Sequence, residues 1–417
     1  MEAPLGNGAL GLRLSHDGAS VLASIFSEIN VNSMDKALVS ILVPIFNVEK
    51  YLDRCLSSLR DQSYRNIEVL CINDGSTDGS RTIIDSYTSS DLRFKLIDKP
   101  NSGYGDSMNK GLEAAQGKYI SILESDDFLD SDAIEYMVGE SESDQLEVLK
   151  CNFWLYWSEE RPERSYRNDV YFALATPEMV NLGVHAPRNY PDIFWKKPSI
   201  WSALYLKSFL DENNVRFLST PGASYQDSSF TFKAFSCAER VRYSGRAFLH
   251  YRQDNEQSSV NSQGKVYCVC DEHAEIQRFL DEERPEFRQE LDPVRAYVKF
   301  LNYAWNYERL AVEFKQEFLD RFSLEMRGEV DRGSIPAGVL DGSYAKDGEL
   351  WRCQYFDPVQ VASLRQVLYK KELYAALCSS RASSSKLRTL RNFWAAGGIA
   401  TVVELAKLKL GKFDKIG

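Results

Sequence analysis

Long apolar runs are missing from this chain. Nowhere do its 417 residues offer the roughly 18 consecutive apolar positions that a membrane-crossing helix needs. That argues against a spanning protein. Cysteine is scarce as well: the eight are at 55, 71, 151, 237, 268, 270, 353 and 378, and no two form a Cys-X-X-Cys pair. A disulfide framework is not expected, and a reducing compartment is. Cys268-Val269-Cys270 is too close for a structural zinc half-site and reads as half-buried strand or helix packing. Basic charge is in deficit, with 50 Lys and Arg against 60 Asp and Glu and a net charge of -10. A general nucleic-acid binder is disfavoured, because its affinity rests on phosphate neutralisation. Residues 1–33 lack a basic segment followed by a long apolar run, so no secretory leader is expected. They read either as a mobile extension or as a start placed upstream of Met34. No internal repeat is evident.

What is present is ordinary globular composition, with 44% hydrophobic and 26% charged residues. The length suits two or three domains. From Ala37 short apolar strands alternate with amphipathic segments. Ala37–Val43, Ile67–Ile72, Phe94–Ile97 and Tyr119–Leu123 read as strands. Glu49–Asp61, Thr77–Tyr87 and Ser107–Ala115 read as helices. This alternation predicts a mostly parallel sheet with helices on both faces. Residues 131–265 are mixed and aromatic-rich. From Lys265 the pattern is helical. Asp292-Pro293 and Asp357-Pro358 each read as an N-cap followed by proline at the first helical position. Phe314, Phe318, Phe322 and Met326 form a buried helical stripe. Ser379–Ser385 reads as a linker. The tail from Lys386 carries seven basic and two acidic residues, and its Phe393–Val403 stretch is apolar.

Four clusters fall where an open parallel sheet keeps its ligands, beyond the strand carboxyl ends. Asn73-Asp74-Gly75-Ser76-Thr77-Asp78-Gly79 follows the second strand. It is either a capped turn or a carboxylate placed for a base or ribose. Glu124-Ser125-Asp126-Asp127 follows the fourth strand. Three carboxylates within four residues repel one another unless solvated or bound to a cation, and magnesium or manganese takes such oxygens together with phosphate and water. Tyr225-Gln226-Asp227 precedes an aromatic-rich helix, as a cap or as a catalytic acid. His250-Tyr251-Arg252, with Ser258-Ser259, could hold a diphosphate, since guanidinium matches phosphate oxygens bidentately. The glycine loop Asn101-Ser102-Gly103-Tyr104-Gly105 is no dinucleotide fingerprint. That fingerprint belongs after the first strand, where Pro44-Ile45-Phe46-Asn47 stands, so a dehydrogenase is disfavoured.

Taken in order, these clusters resemble the family 2 glycosyltransferases, of the GT-A fold. The stretches VSILVPIFNVEKYLDRCLSSLRDQSYRNIEVLCINDGSTDGS and NSGYGDSMNKGLEAAQGKYISILESDD carry the resemblance, which covers roughly residues 37–262. It implies an α/β fold: a Rossmann-like, mostly parallel GT-A catalytic domain over 34–264, then an α-helical C-terminal region over 265–378. Residues 379–417 would be a linker and a basic amphipathic helix, and residues 1–33 an extension outside the fold.

The resemblance implies an inverting, metal-dependent transfer of a sugar from a nucleotide-diphosphate sugar, UDP-linked, to a hydroxyl acceptor in polysaccharide or glycoconjugate synthesis. Pro44, Ile45 and Phe46 would line the base pocket and Asp74 would contact the base. Gly103 and Gly105 would give the sugar room. Glu124 and Asp126 match the metal motif. Asp126, with Asp127 and His250, would hold magnesium or manganese. Asp227 would be the catalytic base, and Arg252 would reach the diphosphate. Trp201 is the candidate for a glycan or lipid-linked acceptor. Two residues depart from the family pattern, Glu124 for an aspartate and Gln226 for an acid; losing the latter charge should ease ionisation of Asp227. Expected partners are the donor and acceptor, with no nucleic acid. The expected location is the cytoplasm, with peripheral contact at the inner membrane face through the basic tail. The rival reading is a non-catalytic nucleotide-sugar or glycan-binding module that keeps the fold.

Overall fold

The computed structural model describes residues 36–158, 169–222, 224–255, 265–341 and 355–381. The 1–33 extension and nearly all of the linker and basic tail lie outside the described residues. So do Ser258 and Ser259.

The first half alternates as expected: β1 (Val39–Ile45), α1 (Glu49–Arg60), β2 (Ile67–Asp74), α2 (Ser80–Ser90), β3 (Phe94–Lys99), α3 (Tyr104–Ala114) and β4 (Tyr119–Ile122). β1 and β2 are buried at every position, which is why they read as continuous apolar runs rather than alternating ones. β1 runs through Pro44 where the sequence suggested a stop. The Leu42 carbonyl accepts from the Leu123 N–H on the β4 side. Pro44, two residues on, shares that side. The pairing of β1 with β4 stops at Leu42 and Ile122, so the missing proline N–H deprives no partner.

The chain continues with β5 (Phe128–Leu129), α4 (Ala133–Asp144), β6 (Val148–Tyr156), β7 (Asp169–Phe172), α5 (Pro177–Asn181), β8 (Ala203–Leu206), α6 (Lys207–Glu212), α7 (Gln226–Cys237) and β9 (Val241–Arg252). All nine described strands form one sheet of order β3-β2-β1-β4-β8-β6-β9-β5, with β7 beside β6. β1 to β4 are mutually parallel, while β8 lies antiparallel to both β4 and β6. The sheet is therefore mixed, with its parallel half carrying the glycine and acidic loops.

Helices α8 (Cys268–Arg278), α9 (Arg288–Arg309), α10 (Val312–Asp331), α11 (Ala337–Asp341), α12 (Pro358–Tyr369) and α13 (Lys371–Arg381) make up the remainder. Cys268 and Cys270 fall on α8. Asp357 caps α12 as expected, accepting from the Val359 and Gln360 N–H groups in a capping box. Asp292-Pro293 does not cap: Pro293 lies inside α9, which starts at Arg288. Burial of Leu291 keeps the preceding turn helical. Asp292 instead accepts from Arg295 Nε at 2.7 Å. Phe318, Phe322 and Met326 are buried and Phe314 packs at the edge of the same cluster, so that stripe is core.

Two hydrophobic clusters organise the molecule. The first joins the sheet and its helices, and also takes in Ile276, Phe279, Leu280, Leu291, Val294 and Val298 from beyond residue 264. The second is built on α9, α10 and α12, with Val269 and Cys270 of α8.

Candidate functional site

Phe46, the residues after β2, the glycine loop and the acidic loop all follow carboxyl ends of the parallel strands. At the end of β1, Pro44 and Ile45 are buried, and only Phe46, the next residue, offers a surface, 50% exposed. Asp74, expected to meet a base directly, is committed to the glycine loop. Its carboxylate takes an ion pair from Lys99 and accepts from the N–H groups of Ser102 at 2.8 Å and Gly103 at 3.0 Å. An open cleft of about 400 Å³ lies beside it, lined by Asn73, Gly75, Ser76, Arg81 and Asp98.

The glycines serve close backbone approach. Gly103 has φ +96, and a Cβ there would lie 2.6 Å from the Thr220 carbonyl; one on Gly105 would lie 2.0 Å from that of Leu218. The 218–222 segment is thus seated on the glycine loop. Gln226 fixes it from behind: Oε1 accepts from the Ser224 N–H, and Nε2 donates to Thr220 Oγ1 at 3.0 Å and the Gly222 carbonyl. A carboxylate could not donate those bonds, which gives a physical reason for the amide.

In the acidic loop, Glu124 Oε1 accepts from Tyr104 Oη at 2.7 Å, so its extra methylene is used to reach the glycine loop. Asp126 is half-buried and accepts from Asn255 Nδ2 at 2.7 Å. Asp127 is 1% exposed; Oδ1 accepts from the Arg252 N–H at 2.8 Å, and Oδ2 is buried with no partner. Burial raises all three pKa values. Glu124 is pushed up to about 8, and Asp126 adds repulsion to both Glu124 and Asp127. Arg252 is buried, donating Nε to the Asp126 carbonyl at 2.8 Å and Nη1 to Ser158 Oγ. It braces the loop from beneath.

These residues fit a hard divalent cation: oxygen donors, mutual repulsion and an orphaned carboxylate oxygen. Among the described residues, no group of three His, Cys, Asp or Glu side chains could hold a metal unaided. Phosphate oxygens would have to complete the shell.

His250 is placed differently from the expectation. Nδ1 contacts Asp169 at 2.8 Å and Nε2 contacts Asp130 at 3.0 Å, with the ring stacked on Phe128. Both nitrogens are taken, so neither is left for a metal. Desolvation lowers the imidazole pKa, but the two carboxylates outweigh it and the net shift is upward. The clamp therefore stabilises fully below the ordinary imidazole pKa of about 6.5 and is lost as pH rises through the higher folded value. We expect the melting temperature to fall with rising pH across that window, and a His250→Gln variant to lose this pH dependence. An unchanged pH profile would refute the clamp.

Asp227 lies in the first turn of α7, half-buried, and no side chain hydrogen-bonds its carboxylate among the described residues. Desolvation raises its pKa, while Lys197 and Lys150 oppose the rise. The net shift is upward and comes from desolvation, not from a neighbouring carboxylate. Its field reaches Glu124, Tyr104 and Tyr251. Asp227 and the acidic loop therefore lie within electrostatic reach of each other.

Trp201 is buried, edge-on to Phe153 at 4.6 Å and stacked on Tyr251 at 4.8 Å. It supports the site from the core. The sequence reading missed Tyr104, Lys99, Tyr251 and Lys197, whose Nζ sits 4.3 Å from the Tyr251 ring centre. Tyr104 and Tyr251 stand inside clusters already singled out and Lys99 lies just before one; nothing local marks Lys197.

The profile described as Glycosyl transferase family 2 matches residues 40–230. The chain is 31% identical over 217 residues to the uncharacterized glycosyltransferase EpsJ of Bacillus subtilis, covering 52% of this chain and 61% of that protein, less than two thirds of its length. It is 30% identical over 269 residues to EpsH of the same organism, which also carries a glycosyltransferase name, covering 62% of this chain and 74% of that one. In fold it resembles residues 1–349 of Staphylococcus aureus TarS, solved with UDP-GlcNAc. The TM-score is 0.54 at 20% identity, over 80% of this chain and 93% of that one.

Proposed function

The chain belongs to glycosyl transferase family 2, and from that premise we propose that it moves a sugar from a nucleoside-diphosphate sugar to an acceptor hydroxyl, inverting the anomeric carbon. The observation that carries this reading is the pairing of an acidic loop that keeps an orphaned Asp127 oxygen with an Asp227 carboxylate that no described side chain hydrogen-bonds. UDP is the proposed nucleotide, supported by the fold shared with TarS, whose structure holds UDP-GlcNAc.

The anomeric carbon–oxygen bond breaks with its electron pair leaving on the diphosphate, while the acceptor oxygen forms the new bond from the opposite face. Asp227 takes the acceptor proton as attack proceeds. One base and one displacement give inversion. A divalent cation, magnesium or manganese, held by Asp126 with Asp127 beside it and completed by diphosphate oxygens, would supply positive charge where the leaving group gains negative charge. Tyr104 holds Glu124 in place, and Arg252 fixes the backbone of the loop. Phe46 would meet the base, with Asp74 acting through the glycine loop.

The proposed acceptor is a glycan or lipid-linked saccharide. No disulfide joins the seven described cysteines, which supports a cytoplasmic setting. No described helix is long and apolar enough to cross a membrane. The basic tail would give peripheral membrane contact, separable by liposome flotation of a chain truncated at Ser385; unchanged flotation would remove that role. The central test is a panel of nucleotide sugars with manganese, read by melting shift and by release of the nucleotide. One sugar should stand out. A flat panel would overturn the reading.

A further inference from the structure

The helical region reaches the site through the last turns of α9. Tyr225, two residues before Asp227, holds φ +65, a left-handed backbone that a bulky residue rarely adopts. That conformation is fixed from α9: Tyr225 Oη donates to Asn306 Oδ1 at 2.8 Å and accepts from Arg309 Nη1 at 3.2 Å. Asn306 in turn donates to the Val266 carbonyl at 3.1 Å. The constraint is non-local and is met at the residue that opens the helix of the proposed base.

Beside this anchor stands Trp305, 46% exposed on a helix that otherwise buries most of its aromatics. The indole meets the Tyr225 ring edge-on at 5.6 Å. The Arg309 guanidinium lies 4.7 Å from the Trp305 ring centre and 5.3 Å from that of Tyr225. The indole is thus supported on two sides and partly open to solvent. Leaving that much apolar area in water has a cost, and a rigid aromatic gives large contact area at little entropy loss on binding. A guanidinium beside an aromatic face suits a ring with an apolar C–H face and hydroxyl edges.

We propose that Trp305, with Tyr225 and Arg309, forms a saccharide-binding platform that receives a sugar ring of the acceptor next to Asp227. This rests on the reading of Asp227 as the base of a sugar transfer. It assigns acceptor selection to the helical region, through a residue outside the stretch that the family profile matches.

The test uses the full chain on an array of immobilised neutral, N-acetylated and uronic-acid oligosaccharides, without donor. Wild type should retain at least one class. Trp305→Ala should retain about tenfold less, equivalent to roughly 1.4 kcal/mol, at an unshifted melting temperature. Trp305→Phe should recover most of the signal, which separates stacking from mere surface packing. Equal retention by Trp305→Ala, or no retention by wild type, overturns the platform. Donor turnover is read separately. Wild type that releases no nucleotide from any sugar in the panel refutes the transferase reading, whereas the array outcome decides the platform.

Discussion

Asp227→Asn is expected to lower sugar transfer by about 10²–10⁴-fold, the usual contribution of a positioned general base, while nucleotide affinity is retained. The amide keeps the size of the side chain and loses the basic oxygen. Folding should survive, because no side chain depends on that carboxylate for a hydrogen bond among the described residues. The pH profile adds a second signature. Desolvation raises the Asp227 pKa, so the acid limb of the rate should lie above the ordinary aspartate range and vanish in the variant. Steady-state transfer against pH, with nucleotide binding by calorimetry, checks both. Transfer at the parental rate would remove Asp227 from the mechanism.

The second large effect is expected at Asp126. Asp126→Ala should abolish the gain in UDP affinity that manganese gives wild type, a loss of at least about tenfold. The same change should raise the melting temperature in EDTA. Without a cation, Asp126 adds repulsion to the buried Glu124 and Asp127, and deleting it relieves that strain. A variant weaker at binding yet more heat-stable is what a cation site held at a stability cost predicts. Titrations of UDP with and without manganese, plus melting in EDTA, decide it. Intact manganese-stimulated binding would exclude Asp126 as a ligand.

Much of the parallel half was legible because local pattern and position agree there. Apolar runs mark β1, β2 and β4, and polar residues at their carboxyl ends mark the loops. The direction of β8 was not legible, since nothing in Ala203–Leu206 encodes that it runs antiparallel between β4 and β6. Asp74 was read as a base contact because a carboxylate at a strand end shows its position but not its partners. Those partners, Ser102 and Gly103, come from nearly thirty residues away. His250 failed for the same reason, its two carboxylates being 120 and 81 residues distant. Asp292-Pro293 misled differently: a true local signal was overridden by the packing of the turn before it. Trp201 shows that aromatic density does not separate a binding surface from a core.

The first hydrophobic cluster, which crosses residue 264, limits how this protein can be cut or recombined. α9 gives one face to the sheet's core and the other to the helical cluster, and α8 gives its first turn to the helical cluster and Ile276 to the sheet's core. They act as a shared wall rather than a tether. A chimera made by exchanging the helical portion with that of a relative would tear this wall unless the junction fell after α9. Donor and acceptor preferences would therefore be inherited as one block, changing together by substitutions along the wall rather than by module exchange.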